Sequence, residues 1–280
     1  MAGVNQIIYG SDYNAVQTKV REVLGDGYPN YGDYGYGVAL TSSPVVATAI
    51  IYKADWDNLI ADVNTAYYHV NGANYTGYTS SVSGNISFAN LDNANTAIDS
   101  ALASRLSVNA GQITQTNSYS RSFTTAWSTS IFSDVTVTFA SATAARYFFN
   151  AGGTLRFQGT YAYGSATPQN DAWSQLMTDF SYSINRTEWY GIQGVSNGTV
   201  RYTLSNDTNV GAVYRVNTVN VTAAVITANS VQFTVTYNDS HVGTGGGSDS
   251  VDGTIGFRVY QNNPNFSSYY PTYAHAGSGY

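Results

Sequence analysis

The fold of this chain is decided by residues 135–163, which read VTVTFASATAARYFFNAGGTLRFQGTYAY. The first five residues alternate between apolar and hydroxyl-bearing side chains, which is the period of two expected of a half-buried strand. Residues 147–150 and 155–163 then predict two strands of a hairpin, closed by Gly152 and Gly153, because glycine adopts positive φ at little cost. This stretch predicts an antiparallel sheet.

The same pattern continues towards the C-terminus. Further strands are predicted at 200–204, 213–221, 231–237 and 255–260, because each of these runs is rich in β-branched or aromatic residues. A short helix is predicted over 171–180, between two strands. Many short strands separated by turns are typical of a two-sheet sandwich or jelly-roll-like domain, which we expect over residues 116–262.

The N-terminal part predicts helices instead. Apolar side chains recur at helical spacing over residues 12–24, 54–70 and 91–106, so each segment has one apolar face. We expect a small helical module over residues 1–115. The fold class is therefore α+β, with the helical module first, the sandwich second and an extended arm over 263–280.

Polar residues near the helix starts are expected to act as caps. Ser11 or Asp12 is predicted to cap the first helix and Asp92 or Asn93 the third. The second helix contains Asp55, Asp57 and Asp62 towards its start. Carboxylates there are stabilised by the helix dipole, so no catalytic role is assigned to these three acids.

The segment 25–37, GDGYPNYGDYGYG, alternates glycine and tyrosine too densely for a regular element. We expect an ordered loop whose tyrosines pack on another surface. The alternative is a flexible linker.

Composition excludes several functions. Only 10% of residues are charged and the net charge is -6, so a basic surface that follows nucleic-acid phosphates is not expected. The chain has no cysteine, which excludes disulfides, thiolate nucleophiles and cysteine-ligated metals. The 25 tyrosines favour contacts with other protein subunits, since tyrosine is enriched at interfaces.

No targeting signal is predicted at the N-terminus, MAGVNQIIYG, because it lacks a basic segment followed by a long apolar one. The longest apolar stretch, residues 45–52, is far shorter than the roughly 20 residues that cross a bilayer. Synthesis in the cytoplasm and no membrane association are therefore expected.

The acidic, glycine-rich stretch 239–252 is the one candidate metal loop. Asp239, Asp249 and Asp252 would supply calcium ligands, but their spacing fits neither an EF-hand nor a calcium-binding β-helix repeat. The alternative is a loop between two strands, and no cofactor or metal is assigned.

Glu188 is the best candidate for an acid in catalysis, since Glu22 is the chain's other glutamate. It lies beside Trp189 and Tyr190 in a predicted strand or edge loop, where an acid and two rings would suit a sugar. Core packing is the alternative. No hydrolase elbow, P-loop or dinucleotide motif occurs, and His69, His241 and His275 lie in unrelated settings. The chain is therefore predicted not to be an enzyme, with no catalytic residue.

The C-terminal arm contains tyrosines at positions 269, 270, 273 and 280. Its sequence has no periodicity, so it cannot form a core of its own. It is expected either to be disordered or to lie across a neighbouring subunit.

Two segments resemble virion structural proteins of tailed bacteriophages, particularly the large phages of marine cyanobacteria. The first is the run 135–157, in which Arg-Tyr-Phe-Phe-Asn-x-Gly-Gly is the more specific part. The second is the opening, from Ser11-Asp12-Tyr13-Asn14 through Val23-Leu24-Gly25 to Tyr34-Gly35-Tyr36-Gly37. Together they cover the N-terminal module and the first half of the β domain.

This resemblance implies a non-enzymatic virion protein of the tail, the neck or an attached fibre. Its expected partners are further copies of itself, in a symmetric homo-oligomer, and other virion proteins. The alternatives are a receptor-binding module that recognises host surface glycans through Trp189 or the 25–37 loop, and a decoration protein of the capsid. A third hypothesis, a polysaccharide-degrading enzyme, would need a second acid paired with Glu188.

Overall fold

A computed structural model describes residues 8–25, 35, 38–77, 86–205, 212–241, 251–264 and 270–279. The α+β prediction is confirmed: within these residues the helices α1–α3 come first, and two antiparallel sheets follow. The chain forms two compact units, and neither is one continuous segment. The helical unit comprises Met1–Asn109, Arg146–Gly153 and Asn263–Ser268; the sandwich unit comprises Ala110–Ala145, Thr154–Asn262 and Tyr269–Tyr280.

Three helices build the core of the helical unit: α1 (Gly10–Leu24), α2 (Lys53–Asn71) and α3 (Phe88–Ser104). The predicted helices are confirmed with small shifts of their ends. The cap of α3 was predicted wrongly: Ser87 accepts the N–H of Asn90, so α3 begins before Asp92. The shared core consists mainly of aliphatic side chains and Trp56.

The sandwich unit contains nine strands in two sheets among the described residues. One sheet has the order β1-β8-β3-β4 and the other the order β5-β6-β7-β2-β9. The strands are β1 (Val108–Trp127), β2 (Ser130–Thr138), β3 (Thr154–Ala162), β4 (Ser181–Ile184), β5 (Thr199–Ser205), β6 (Thr218–Thr227), β7 (Ser230–Asn238), β8 (Val251–Pro264) and β9 (Thr272–Gly279).

The core of the sandwich lies between the two sheets. Residues of β2 and β7 alternate between buried and half-buried positions, as expected of strands with one face on a core. Phe157 of β3 meets Phe233 of β7 edge to face, with ring centroids 5.1 Å apart. This contact joins the two sheets.

Three shorter helices lie between the strands: α4 (Ala142–Asn150), α5 (Pro168–Asp179) and α6 (Arg186–Gln193). α5 confirms the predicted short helix. α4 contradicts the predicted hairpin, in which residues 147–150 formed a strand. Ser141 accepts the N–H of Ala144 at its start, and four side chains at helical spacing are buried: Ala144, Ala145, Phe148 and Phe149.

Two further predictions were wrong. Residues 188–190, predicted as a strand or an edge loop, belong to α6, and the side chain of Asn185 caps this helix by accepting the N–H of Glu188. The predicted strand 213–221 starts late: Ala212–Val216 is a 3-10 helix, and β6 begins at Thr218.

The C-terminal segment was expected to lack any core of its own. Residues 272–279 instead form β9, which pairs antiparallel with β2 of the same sheet. The hydroxyl of Tyr273 donates to Oε1 of Gln261 at 2.7 Å, and burial raises its pKa. Tyr270 is exposed, and Tyr269 and Tyr280 lie outside the described residues.

Candidate functional site

The two described acids of the acidic loop are held by the start of α5. Both carboxylate oxygens of Asp239 accept the side-chain amide of Gln169 at 2.8 Å. Asp252 accepts the amide of Asn170 at 2.7 Å and the hydroxyl of Ser165 at 2.8 Å. The predicted calcium ligands are therefore occupied by hydrogen-bond donors, and the third, Asp249, lies outside the described residues.

Tyr161 belongs to the same cluster as Asp239, Asp252, Gln169 and Asn170, and the pKa values of the two acids are shifted in opposite directions. The hydroxyl of Tyr161 lies 2.6 Å from Oδ1 of Asn170 and 2.7 Å from the carbonyl oxygen of Asp252, and its single hydrogen is shared between these two acceptors. Burial raises the pKa of Asp239 to about 6, whereas the hydrogen bond from Ser165 lowers the pKa of Asp252. No group of three acidic or histidine side chains able to hold a metal occurs among the residues that the structure describes. The cluster fastens Asp239 and Asp252 to the start of α5.

Glu188 is part of an ion pair. Its Oε1 accepts the hydroxyl of Tyr182 at 2.5 Å and Nε of Arg201 at 2.8 Å. Partial burial alone would raise the pKa of Glu188, but the hydrogen bonds from Arg201 and Tyr182 lower it. A carboxylate held as an anion in this way is a poor general acid. Instead it joins α6 to β4 and β5, the end strands of the two sheets.

Trp189 cannot offer a flat surface to a sugar. Its side chain is 2% exposed, and its ring meets Phe139 edge to face at 5.5 Å. Trp189 itself therefore offers no ring face to a sugar, and core packing accounts for this tryptophan. The other proposed glycan site, the 25–37 loop, lies outside the described residues except for Gly25 and Gly35.

Asp62 has a role that sequence analysis missed. It is 4% exposed, and its carboxylate accepts four donors: the backbone N–H and the hydroxyl of both Thr41 and Ser42, at 2.7–3.1 Å. Asp55 accepts the N–H of Tyr52 at the start of α2, and Asp57 pairs with Lys53. The dipole interpretation thus fails for Asp62, which anchors the segment before α2.

Residues 146–153 contact the segment around Gly35 and Leu106 inside the helical unit. The carbonyl oxygen of Gly35 accepts Nε of Arg146 at 3.0 Å and the side-chain amide of Asn150. Gly152 has φ of +92°, and a Cβ there would lie 2.2 Å from the carbonyl oxygen of Leu106. The Arg-Tyr-Phe-Phe-Asn-x-Gly-Gly run therefore forms a helix end and a tight turn that fasten other parts of the unit.

A cavity of about 370 Å³ opens beside α2. Tyr68, His69, Tyr147, Asn64 and Asn74 contribute to its lining. The rings of His69 and Tyr147 are 4.9 Å apart, and burial lowers the pKa of His69 to about 4, so this imidazole is neutral at pH 7. The cavity offers aromatic rings and amides to a neutral ligand.

An apolar patch lies on the surface of the same unit. Val46 and Ile50 are 72% and 75% exposed, and Tyr9 and Tyr52 are more than half exposed. Gly10 packs closely on the carbonyl oxygen of Val46, which brings Tyr9 near this segment. We call Tyr9, Val46, Ile50 and Tyr52 the apolar patch.

Comparisons with family models, curated proteins and solved structures found no match. Among the described residues, no helix combines the length and the apolar character that crossing a bilayer requires.

Proposed function

We propose that the protein is a non-enzymatic structural protein of a tailed-phage virion, acting as a homo-oligomer in the tail, the neck or an attached fibre. Capsid decoration is the alternative placement. The proposal starts from the resemblance of residues 11–37 and 135–157 to such proteins. The hydrogen bonds from Arg146 and Asn150 to Gly35 connect one residue of the first segment with two residues of the second within the helical unit.

The apolar patch is the observation that carries the proposal. Val46 and Ile50 are large aliphatic side chains that remain about three-quarters exposed, and Tyr52, two residues after Ile50, is more than half exposed; exposed apolar side chains that lie together mark interaction sites. The acids considered for chemistry support it as well, because Asp62, Glu188, Asp239 and Asp252 all accept internal hydrogen bonds.

Sedimentation of the purified chain and labelling of particles test the proposal together. We expect a discrete oligomer whose population grows with concentration, and antibodies to the chain that decorate one part of tailed particles. Val46→Ser with Ile50→Ser is expected to weaken assembly, while Val195→Ser, a change at an exposed valine of the sandwich unit, is the matched control. A monomer at every concentration, or particles without the chain, would contradict the proposal.

Recognition of host glycans is a second candidate, favoured by the cavity beside α2. Aromatic rings and amides are the groups that protein sites use for neutral polar ligands, and Tyr68 and Asn74 are both at its wall. A glycan array tests this function. We expect Tyr68→Ala to abolish any signal and Tyr163→Ala, a change at an exposed tyrosine of the other unit, to leave it unchanged. No signal from the intact chain would remove this candidate.

A further inference from the structure

The two lateral sides of the sandwich differ. At one side, β4 and β5 end the two sheets, and Tyr182, Glu188 and Arg201 join them through α6. At the other side, β1 and β9 end the sheets, with Tyr119 of β1 and His275 of β9 at a ring distance of 6.0 Å. No described strand pairs with the outer edge of β1 or of β9.

Three of the four end strands have features that block the addition of a further strand. β4 is four residues long. The pairing of β5 with β6 shifts register between Val200 and Tyr202. The pairing of β9 with β2 shifts register opposite the β2 residues Ser133 and Val135. Short length and bulges are the means by which proteins keep sheet edges from pairing with other chains.

Neither the length nor the composition of β1 keeps its edge from pairing with another chain. It runs for 20 residues, although strands usually have about 3 to 10. It contains no proline, and Arg121 is its one charged residue, whereas protected edges carry lysines or prolines. Hydroxyl and amide side chains dominate its sequence, so two such strands can lie side by side with little repulsion.

A cavity borders this edge. It has a volume of about 380 Å³ and is lined by Ser118, Tyr119, Ser120 and His275. The hydroxyl of Tyr119 is buried and has no hydrogen-bond partner among the described residues. An added strand uses main-chain hydrogen bonds for affinity and pockets for its alternate side chains, and this cavity adjoins three consecutive residues of β1.

We propose that the outer edge of β1 pairs antiparallel with β1 of a second copy, around a two-fold axis, so that two four-stranded sheets become one continuous sheet. A second copy suits the edge because antiparallel pairing of identical strands is self-complementary. Twenty residues at about 3.4 Å each make an edge about 68 Å long, and a band about 10 Å wide along it on each of the two copies gives roughly 1,400 Å² of total buried surface. Stable interfaces bury about 1,200 to 2,000 Å². This inference rests on the proposed homo-oligomeric function and specifies one of its contacts.

Distances between spin labels measure this pairing directly. The chain has no cysteine, so a single cysteine can be introduced for labelling. Suitable exposed positions of β1 are Val108, Ser118, Ser120 and Ser122. The measured quantity is the distance between the labels at the same position of the two copies. Moving the label by two residues along β1 displaces it by about 7 Å in each copy, in opposite directions because the strands are antiparallel. For positions on one side of the two-fold axis, distances from labels two residues apart should therefore differ by about 13 to 14 Å. One axis position must fit all four distances.

Charge at the edge provides the second measurement. Ser118→Lys with Ser120→Lys places like charges along the pairing strands, and we expect the dimer to dissociate about tenfold more readily or worse. Ser181→Lys with Ser183→Lys is the matched control on β4, the opposite end of the same sheet, and should leave the dimer unchanged. An oligomer whose label distances fit no single axis, or that tolerates the β1 lysines, overturns this inference alone. A chain that stays monomeric contradicts the proposed function as well.

Discussion

At the residue scale, the three acids considered for chemistry and Asp62 all have structural partners. Asp62, Glu188, Asp239 and Asp252 each accept hydrogen bonds from side chains distant in sequence, such as Gln169 for Asp239 and Ser42 for Asp62. Sequence analysis identified three of them as candidates, but their partners are distant along the chain. Arg201 is 13 residues from Glu188, and Ser165 is 87 residues from Asp252. The sequence therefore identified these residues but not what they do.

Asp62 gives the clearest test of such a role. Asp62→Asn replaces one oxygen with an amide that faces donors of Thr41 and Ser42, so buried donors lose their acceptor. We expect the free energy of unfolding to fall by about 2 to 4 kcal/mol, as measured by urea denaturation. Asp57→Asn, which removes the exposed pair with Lys53, should cost under about 1 kcal/mol. Equal losses in the two variants would contradict the anchoring role.

Asp239 predicts a pH dependence. Its pKa is about 6 in the folded chain and 3.8 in the reference state, so the folded state keeps a proton that the unfolded state releases. The contribution of Asp239 to the free energy of unfolding is then highest below about pH 4 and falls as the pH rises to about 6, by up to about 3 kcal/mol. Asp239→Asn should remove this part of the slope, as measured by urea denaturation between pH 4 and pH 7. Asp252→Asn should change the slope in the opposite sense, and mainly below about pH 4, because the pKa of Asp252 is lowered from its ordinary value of 3.8 and the wild-type carboxylate loses its stabilising contribution as the pH falls below that value.

At the element scale, prediction succeeded where the apolar period was long. The apolar face of α2 extends over five turns, and the alternation in β2 and β7 matches their burial. α4 and α6 were missed because eight or nine residues rich in aromatic side chains suit a strand as well as a helix. β9 was missed because Ala-Gly-Ser-Gly has low strand propensity, and its pairing with β2, over 130 residues away, determines its conformation.

The turn between α4 and β3 gives a test at this scale. Gly152→Ala imposes a side chain on a φ of +92° and places its Cβ 2.2 Å from the carbonyl oxygen of Leu106. We expect a loss of about 3 kcal/mol or more in the free energy of unfolding. Gly198→Ala shares the positive φ but has no heavy atom within 4 Å of the added Cβ, so it should cost only about 1 to 2 kcal/mol. Thermal denaturation compares the two, and equal losses would mean that backbone strain alone determines the cost.

At the scale of the whole molecule, the chain does not divide at one point. Sequence analysis placed one boundary near residue 115, but residues 146–153 belong to the helical unit. Ala151 is part of that unit's buried core and Tyr147 packs against it. A helical fragment cut at residue 109 would therefore lack part of its own core.

This division predicts how fragments behave. A fragment of residues 1–109 loses the contact of Tyr147 with His69 and the hydrogen bonds from Arg146 and Asn150 to Gly35. We expect it to be helical by circular dichroism but to unfold with low cooperativity, because core surface covered in the full chain becomes exposed. In the full chain, Tyr147→Ala should lower the unfolding temperature of the helical unit, but by less than removal of all of residues 146–153 does. The cut removes every contact that residues 146–153 make with the three helices. A fragment that unfolds as cooperatively as the full chain would therefore show that these eight residues add nothing to that core.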